Sequence, residues 1–294
     1  VGSFQVFAHR AEIENLKTLT QYAIDRHYPQ ARGPMDLLRA VCARQADLVT
    51  RWMSVGFIHG VMNTDNSTIS GETIDYGPCA FMDDFHPNCV FSSIDRDGRY
   101  AWGSQPNMAN WNLARFAETL LSLISDDSEV ALEKAKESLN AFTRRFRMEY
   151  DNRFRAKFGL GENGSLTLVR SGLSLLTKHE VDFTLFFRHL TYGNRSELSA
   201  LFNEPAALDT WCAEWEAATQ SNPDTVAMQK SNPILIPRNH RVEQAIQAAY
   251  GDDYAPFHQL VDALAKPYED RVEYAAYELA PKPEEIVHET FCGT

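Results

Sequence analysis

No two cysteines in this sequence are spaced as C-x-x-C, which removes a zinc site of the ribbon or finger type. The five cysteines stand at 42, 79, 89, 212 and 292. An odd count at long spacings fits a reducing compartment better than a disulfide framework, and a cytoplasmic location is expected. No apolar run approaches the roughly 20 residues that cross a bilayer, so a spanning helix is excluded. Positive charge is also scarce. Against 40 Asp and Glu there are 28 Lys and Arg, a net charge of −12. That balance excludes a general nucleic-acid or anionic-membrane surface. The opening VGSFQVFAHR has neither the basic start nor the small-residue cleavage site of a signal peptide, and no initiator Met. It opens inside a strand-like alternation of Phe4, Val6 and Ala8, so the chain is expected to begin partway through a larger protein. Repeats and low-complexity tracts are missing. Strand signals are few: the opening segment, Thr73–Asp75 and Cys89–Ile94.

What remains is apolar content at helical spacing. With 294 residues and 44% apolar composition the chain can bury a large core in one or two domains. Ile13, Leu16, Leu19, Tyr22 and Ala23 recur at three- and four-residue steps and predict a helix over 11–28. Further helices are predicted over 35–55, over 105–124 with Pro106 in its first turn, and over a charge-rich 128–157 that should face solvent. Shorter ones are predicted over 171–190, 207–219, 238–250 and 257–265. KSNPILIPRNH, 230–240, reads as a Pro-punctuated linker. GLGENG at 159–164 fits G-x-G-x-x-G by letter. A charged helix rather than a strand precedes it, so Gly159 is read as a helix end and not as a phosphate loop.

The stretch HGVMNTDNSTISGETIDYGP, 59–78, is the one that carries chemistry. It offers His59, then Asp65 beside Asn66, and ten positions on from Asp65 stands Asp75. A nucleotide's phosphates need Mg²⁺, a hard ion that takes oxygen donors from one or two side chains plus phosphate and water. A further carboxylate must accept the proton of an attacking hydroxyl. Asn66 and Asp75 suit the first task and Asp65 the second. Protein kinases arrange these parts as H-R-D-x-x-x-x-N followed by D-F-G. Here His59 and Asn66 keep the His-to-Asn interval, and Asp75-Tyr76-Gly77 imitates D-F-G. The usual base position holds Val61, and the nearest acid, Asp65, lies next to Asn66. Two other readings stay open on residues alone. The stretch could be a structural Asn/Asp-rich loop, or the metal could sit among His59, Asp83, Asp84 and His86.

The same residues resemble the SelO/YdiU family, protein adenylyltransferases with a protein-kinase-like fold. HGVMNTDN, TIDYGP and FMDDF carry the resemblance. GRYAWGSQPNMANWNLARFAETL at 98–120, NPILIPRNHRVEQAI at 232–246 and the FCGT end extend it over nearly the whole chain. It implies an α+β, mostly helical fold: a kinase-like C-terminal lobe, about 1–160, with a helical extension, about 161–294, and no N-terminal lobe. It implies transfer of AMP from ATP to Ser, Thr or Tyr hydroxyls of proteins, and in bacterial relatives of UMP with Mn²⁺. By position, Asp65 is then the proton acceptor, Asn66 and Asp75 the Mg²⁺ ligands, and Asp75 a contact of the ATP. The family's glycine-rich segment and its nucleotide-binding Lys and Arg residues should precede residue 1. The chain alone is therefore expected to be inactive. The family's C-terminal cysteine pairs near the activation segment. Cys292 matches it, with Cys89 the expected partner and Cys79 the alternative. A kinase-type phosphotransferase and an inactive nucleotide-binding pseudoenzyme are the rival functions.

Bland roles are expected for the remaining candidates. His59 should hold loop backbone rather than move protons. Arg96 and Arg99 belong to a turn, and Trp102, Trp111, Trp211 and Trp215 to core or interface. Arg238-Asn239-His240-Arg241 reads as a solvated helix start.

Overall fold

A computed structural model describes residues 1–291. Its long helices begin at a side-chain cap or at a proline in the first turn. Asp127 accepts the backbone N–H groups of Glu129 and Val130 and opens α5, Ser128–Lys157. Pro34 opens α3, Pro34–Ser54, and Pro106 sits in the first turn of α4, Gln105–Ile124. These three helices pack on one another through Leu37, Leu38, Val41 and Val49 of α3, Leu113, Phe116 and Leu120 of α4, and Phe142 and Phe154 of α5. Each such side chain contributes about 1.5–3 kcal/mol on burial. The charge-rich helix is thus a wall of the core along one face, not a solvent-facing element.

The chain enters through α1, Gly2–His9, and α2, Ile13–His27. The opening segment is a helix, not the expected strand. Phe4 is buried edge-on against Phe116 and Val6 turns to solvent, so the apolar positions follow helical spacing. After α5 come α6, Leu166–His179, and α7, Phe183–Thr191. The single helix predicted over 171–190 breaks at Glu180, which is left-handed with φ of 50°, and Asp182 restarts it by capping Leu185. Then follow α8, Arg195–Ala200, α9, Pro205–Thr219, α10, Thr225–Ser231, α11, Asn239–Tyr250, and α12, Ala255–Leu264. α8 and α10 are too short to leave a periodic signal.

Gly159 ends α5 with φ of 66°, and a Cβ there would stand 2.5 Å from the sulfur of Met228. The letter match at 159–164 is a helix terminus. The linker at 230–240 is partly core: Ile234, Leu235 and Ile236 are buried, the first two packing with Ala263. Arg238, expected in solvent, is 1% exposed. It donates to Asp83 and to Asp182, at 2.7 Å for the latter, and so staples the segment after the candidate site to the start of α7.

The strands are β1, Phe57–Ile58, and β2, Ala80–Phe81, paired antiparallel with Phe57 opposite Phe81 and Ile58 opposite Ala80. Neither expected segment, Thr73–Asp75 or Cys89–Ile94, is a strand; Ser92 makes one isolated parallel bridge to Thr290. Both runs lack a partner strand, and an unpartnered run has no ladder to join.

Candidate functional site

The β1–β2 pairing decides where the site lies. Everything from His59 to Cys79 is the connection between two paired strands, so both arms of that connection return to one place. A connection of this length is usually functional. One arm carries Asp65 and Asn66, the other Asp75.

The arms are tied to each other. The His59 ring, buried, donates from Nε2 to the carbonyl of Ile74 at 2.9 Å, one residue before Asp75. The N–H of Val61 faces the other ring nitrogen at 3.4 Å, which suits a neutral ring protonated at Nε2. Burial lowers the His59 pKa, and the Ile74 hydrogen bond and the Asp75 charge only partly oppose it. Gly60 holds φ of 85°, and a Cβ on it would lie 2.6 Å from the Pro78 carbonyl oxygen. Further out, Thr68 Oγ1 donates to the Glu72 carbonyl at 2.6 Å and accepts from the Glu72 N–H.

The first arm is also held from behind. Gln105 Oε1 accepts the N–H of His59 at 3.1 Å while its Nε2 donates to the carbonyl of Phe57 at 3.0 Å. Asn112 donates to the Met62 carbonyl at 2.9 Å, Tyr100 Oη to Asn63 Oδ1 at 2.8 Å, and Gln45 to the Thr68 carbonyl at 2.7 Å. Sequence reading missed these four residues. For Gln45, Gln105 and Asn112 the signal was an amide side chain on the apolar face of α3 or α4, where it stays only if it has partners; Tyr100, in the turn before α4, left no such signal.

The candidate ligands suit a hard cation. The Asn66 amide nitrogen donates to the Val61 carbonyl at 3.1 Å, and its Oδ1 accepts no hydrogen bond among the described residues. Asp65 and Asp75 are exposed and make no side-chain hydrogen bond or ion pair among the described residues. Asp75 is left-handed at φ of 56°, a conformation Asp tolerates better than most residues and one that collects at functional sites. Among the described residues no three His, Cys, Asp or Glu side chains form a metal cluster. A carboxylate and an amide would leave most of an Mg²⁺ shell to phosphate and water, as that ion commonly requires.

The alternative site fails. Asp83 is engaged by Arg238, and burial raises its pKa despite that partner. Among the described residues Asp84, His86 and the buried His59 join no cluster with it. Cys79 and Cys89 are half-buried thiols, each pushed up to about 11, first by burial. Cys292 lies outside the described residues. The segment leading to it does reach the site: Thr290 Oγ1 donates to the Pro78 carbonyl at 2.6 Å, and the Thr290 N–H to Phe91.

A cavity of about 1480 Å³ adjoins the second arm at Thr73, Tyr76 and Gly77. Asp65, Asn66 and Asp75 are not in its walls. Lys157 is, 1% exposed, donating to Asn232 Oδ1 at 2.8 Å and set over the Phe187 ring at 4.1 Å.

Comparison with known proteins bears on this geometry. A family model described as protein adenylyltransferase SelO matches residues 1–265. A protein nucleotidyltransferase YdiU of Ruegeria sp. (strain TM1040) is 53% identical over 297 residues, covering all of this chain and 62% of its own length. Proteins of the same name from Rhizobium meliloti (strain 1021) and Rhodopseudomonas palustris are 48% and 47% identical, again over the whole chain and 64% and 63% of their own lengths. The chain therefore spans a little under two thirds of these relatives. Among the described residues no helix is long and apolar enough to cross a membrane.

Proposed function

The chain belongs to the SelO family of protein adenylyltransferases, and from that premise we propose that it forms the metal- and base-bearing part of an enzyme that moves AMP, or UMP, from a nucleoside triphosphate to Ser, Thr or Tyr hydroxyls of proteins. The observation that carries this reading is the His59–Ile74 hydrogen bond. It ties the start of the arm that carries Asp65 and Asn66 to the residue before Asp75, which supports reading the three as one site. In this reading residues of about 1–160 form a kinase-like C-terminal lobe and those of about 161–294 a helical extension.

In this reading the Asn66 Oδ1 and the Asp75 carboxylate would hold Mg²⁺ or Mn²⁺, which would offset charge on the phosphates of ATP. Asp65 accepts the proton of the acceptor hydroxyl as its oxygen bonds to the α-phosphorus; the bond to the bridging oxygen breaks and pyrophosphate leaves. Alignment of the hydroxyl with the phosphorus supplies much of the rate. His59 stays neutral and holds the loops. Supporting the base assignment is the Val61 position, where a kinase would carry its own carboxylate. A Cys89–Cys292 link is proposed as the redox element of the same site.

The test is product mass in the longest chain the gene encodes. Acceptor protein should gain about 329 Da for AMP rather than about 80 Da for phosphate. Asp65→Asn should abolish transfer and retain the thermal shift given by Mg²⁺ and ATP, whereas Asp75→Asn should lose both. Full transfer by Asp65→Asn would remove the base assignment.

A further inference from the structure

The loop that carries Asp65 is gripped by Tyr100 and Asn112, and the sequence neighbours of those two residues face solvent. Beside Tyr100 stands Arg99; beside Asn112 stands Trp111, 39% exposed. The Arg99 guanidinium lies 5.1 Å from the Trp111 ring centroid and the Arg115 guanidinium 5.6 Å from it. Glu118 takes the charge of Arg115 at 2.6 Å. Asp95 commits its two oxygens to the N–H groups of Arg99 and Tyr100, at 2.8 and 2.7 Å. Among the described residues, Arg96 and Arg99 have no carboxylate within 4.0 Å of their guanidinium groups.

A shallow groove of about 540 Å³ starts at this stack. Arg115, Glu118 and Thr119 of α4 form one side, and Gly2, Gln5 and Val6 of α1 the other. Its α1 wall touches the loop of the candidate base through Gly2. The Gly2 N–H donates to the Thr64 carbonyl at 3.0 Å, and a Cβ on Gly2 would lie 3.3 Å from the Asp65 Cα. The groove thus shares Arg115 with the aromatic–cationic stack and Gly2 with the surroundings of Asp65.

Resting on the function proposed above, we propose that this groove docks the acceptor protein and takes an acidic segment of it. An acidic side chain would meet Arg99 while the hydroxyl reaches Asp65. An exposed Trp set between Arg side chains is the composition that carries binding energy at protein interfaces. A guanidinium stacked on indole is held ready for two-point contact with a carboxylate. The chain as a whole, at −12, repels acidic partners, and the exposed Arg99, stacked on Trp111 with no carboxylate partner among the described residues, offers local positive charge beside the groove.

The experiment uses two fluorescein-labelled peptides with one central Ser, flanked by Asp in one and by Lys in the other. Both are titrated by anisotropy, without nucleotide, into the longest chain the gene encodes. The Asp peptide should bind about tenfold more tightly than the Lys peptide. Arg99→Gln and Trp111→Ala should each erase that preference and leave the thermal shift with Mg²⁺ and ATP unchanged. In transfer from labelled ATP, Arg99→Gln should raise KM for the Asp peptide about tenfold with kcat unchanged. Equal binding of the two peptides, or a preference untouched by Arg99→Gln, overturns the proposal. Because the titration needs no chemistry, an acidic preference without transfer supports the groove and counts against the Asp65 assignment alone.

Discussion

His59 Nε2 and the carbonyl oxygen of Ile74 are 2.9 Å apart, and that one contact joins the two arms of the candidate site. The ring is buried and neutral, its pKa lowered mainly by desolvation. It therefore works as a fixed donor. Nothing about the contact calls for proton transfer by the imidazole.

Replacing His59 by Ala should strand the Ile74 carbonyl and let the Asp75 segment drift. The stability loss should be about 1–3 kcal/mol, the usual cost of an unpaired buried partner. Nucleotide transfer should fall further than stability, by about 100-fold, since small displacements of ligands are costly to rate. Urea unfolding and labelled-ATP transfer on the same variant check this; a fully active His59→Ala protein contradicts it.

Gly60 supplies the second tie. With φ of 85° and a Cβ position 2.6 Å from the Pro78 oxygen, Gly60→Ala is both strained and obstructed. The expected loss is about 1–3 kcal/mol. Gly161, where a Cβ would meet nothing within 4 Å, serves as the control: Gly161→Ala should cost far less by the same denaturant titration.

Arg238 makes a prediction about ions rather than loops. Arg238→Met leaves Asp83 and Asp182 without their guanidinium, and removing one partner of a buried pair costs about 3–5 kcal/mol. Asp83 already titrates above its ordinary range because of burial, with Arg238 opposing. Without Arg238 its protonated form is favoured still more. Hence the gap in stability between wild type and variant should narrow as pH falls toward 4 and widen toward 7. A gap independent of pH would mean that the guanidinium acts only by packing.

Much of this was legible in the residues. The spacing of Leu37, Leu38, Val41 and Val49 gave α3, the Pro106 start gave α4, and the 128–157 helix has the predicted bounds. The donor set at 65, 66 and 75 could be named because its order imitates a known phosphoryl-transfer loop. Other features could not be read along the chain. Phe4, Val6 and Ala8 satisfy a strand's alternation and a helix's spacing almost equally over so short a run, and only Phe116 decides between them. The Arg238–Asp83–Asp182 staple joins residues far apart in sequence, so no local pattern announces it. Gln105 and Asn112 looked like ordinary helix polars until the carbonyls they hold were placed.

Lys157 offers a test in the alkaline range. Burial lowers its pKa well below 10.5, with no carboxylate partner among the described residues. The unfolded chain therefore binds a proton that the folded chain does not, at every pH between the two values. Stability must rise with pH across that window, by up to about 1.4 kcal/mol per pH unit for one proton. Relative to Lys157→Met, wild type should gain stability between pH 8 and 10 in urea titrations. A constant difference would show that the amine stays charged in its aromatic pocket.

The central claim is that Asn66 and Asp75 hold a divalent ion beside Asp65. Anomalous diffraction from crystals grown with Mn²⁺ and a non-hydrolysable ATP analogue tests it most directly. The account predicts a metal peak about 2.0–2.2 Å from the Asn66 Oδ1 and an Asp75 carboxylate oxygen. A nucleotide-bound metal held by other side chains, with Asn66 and Asp75 uncoordinated, would contradict it.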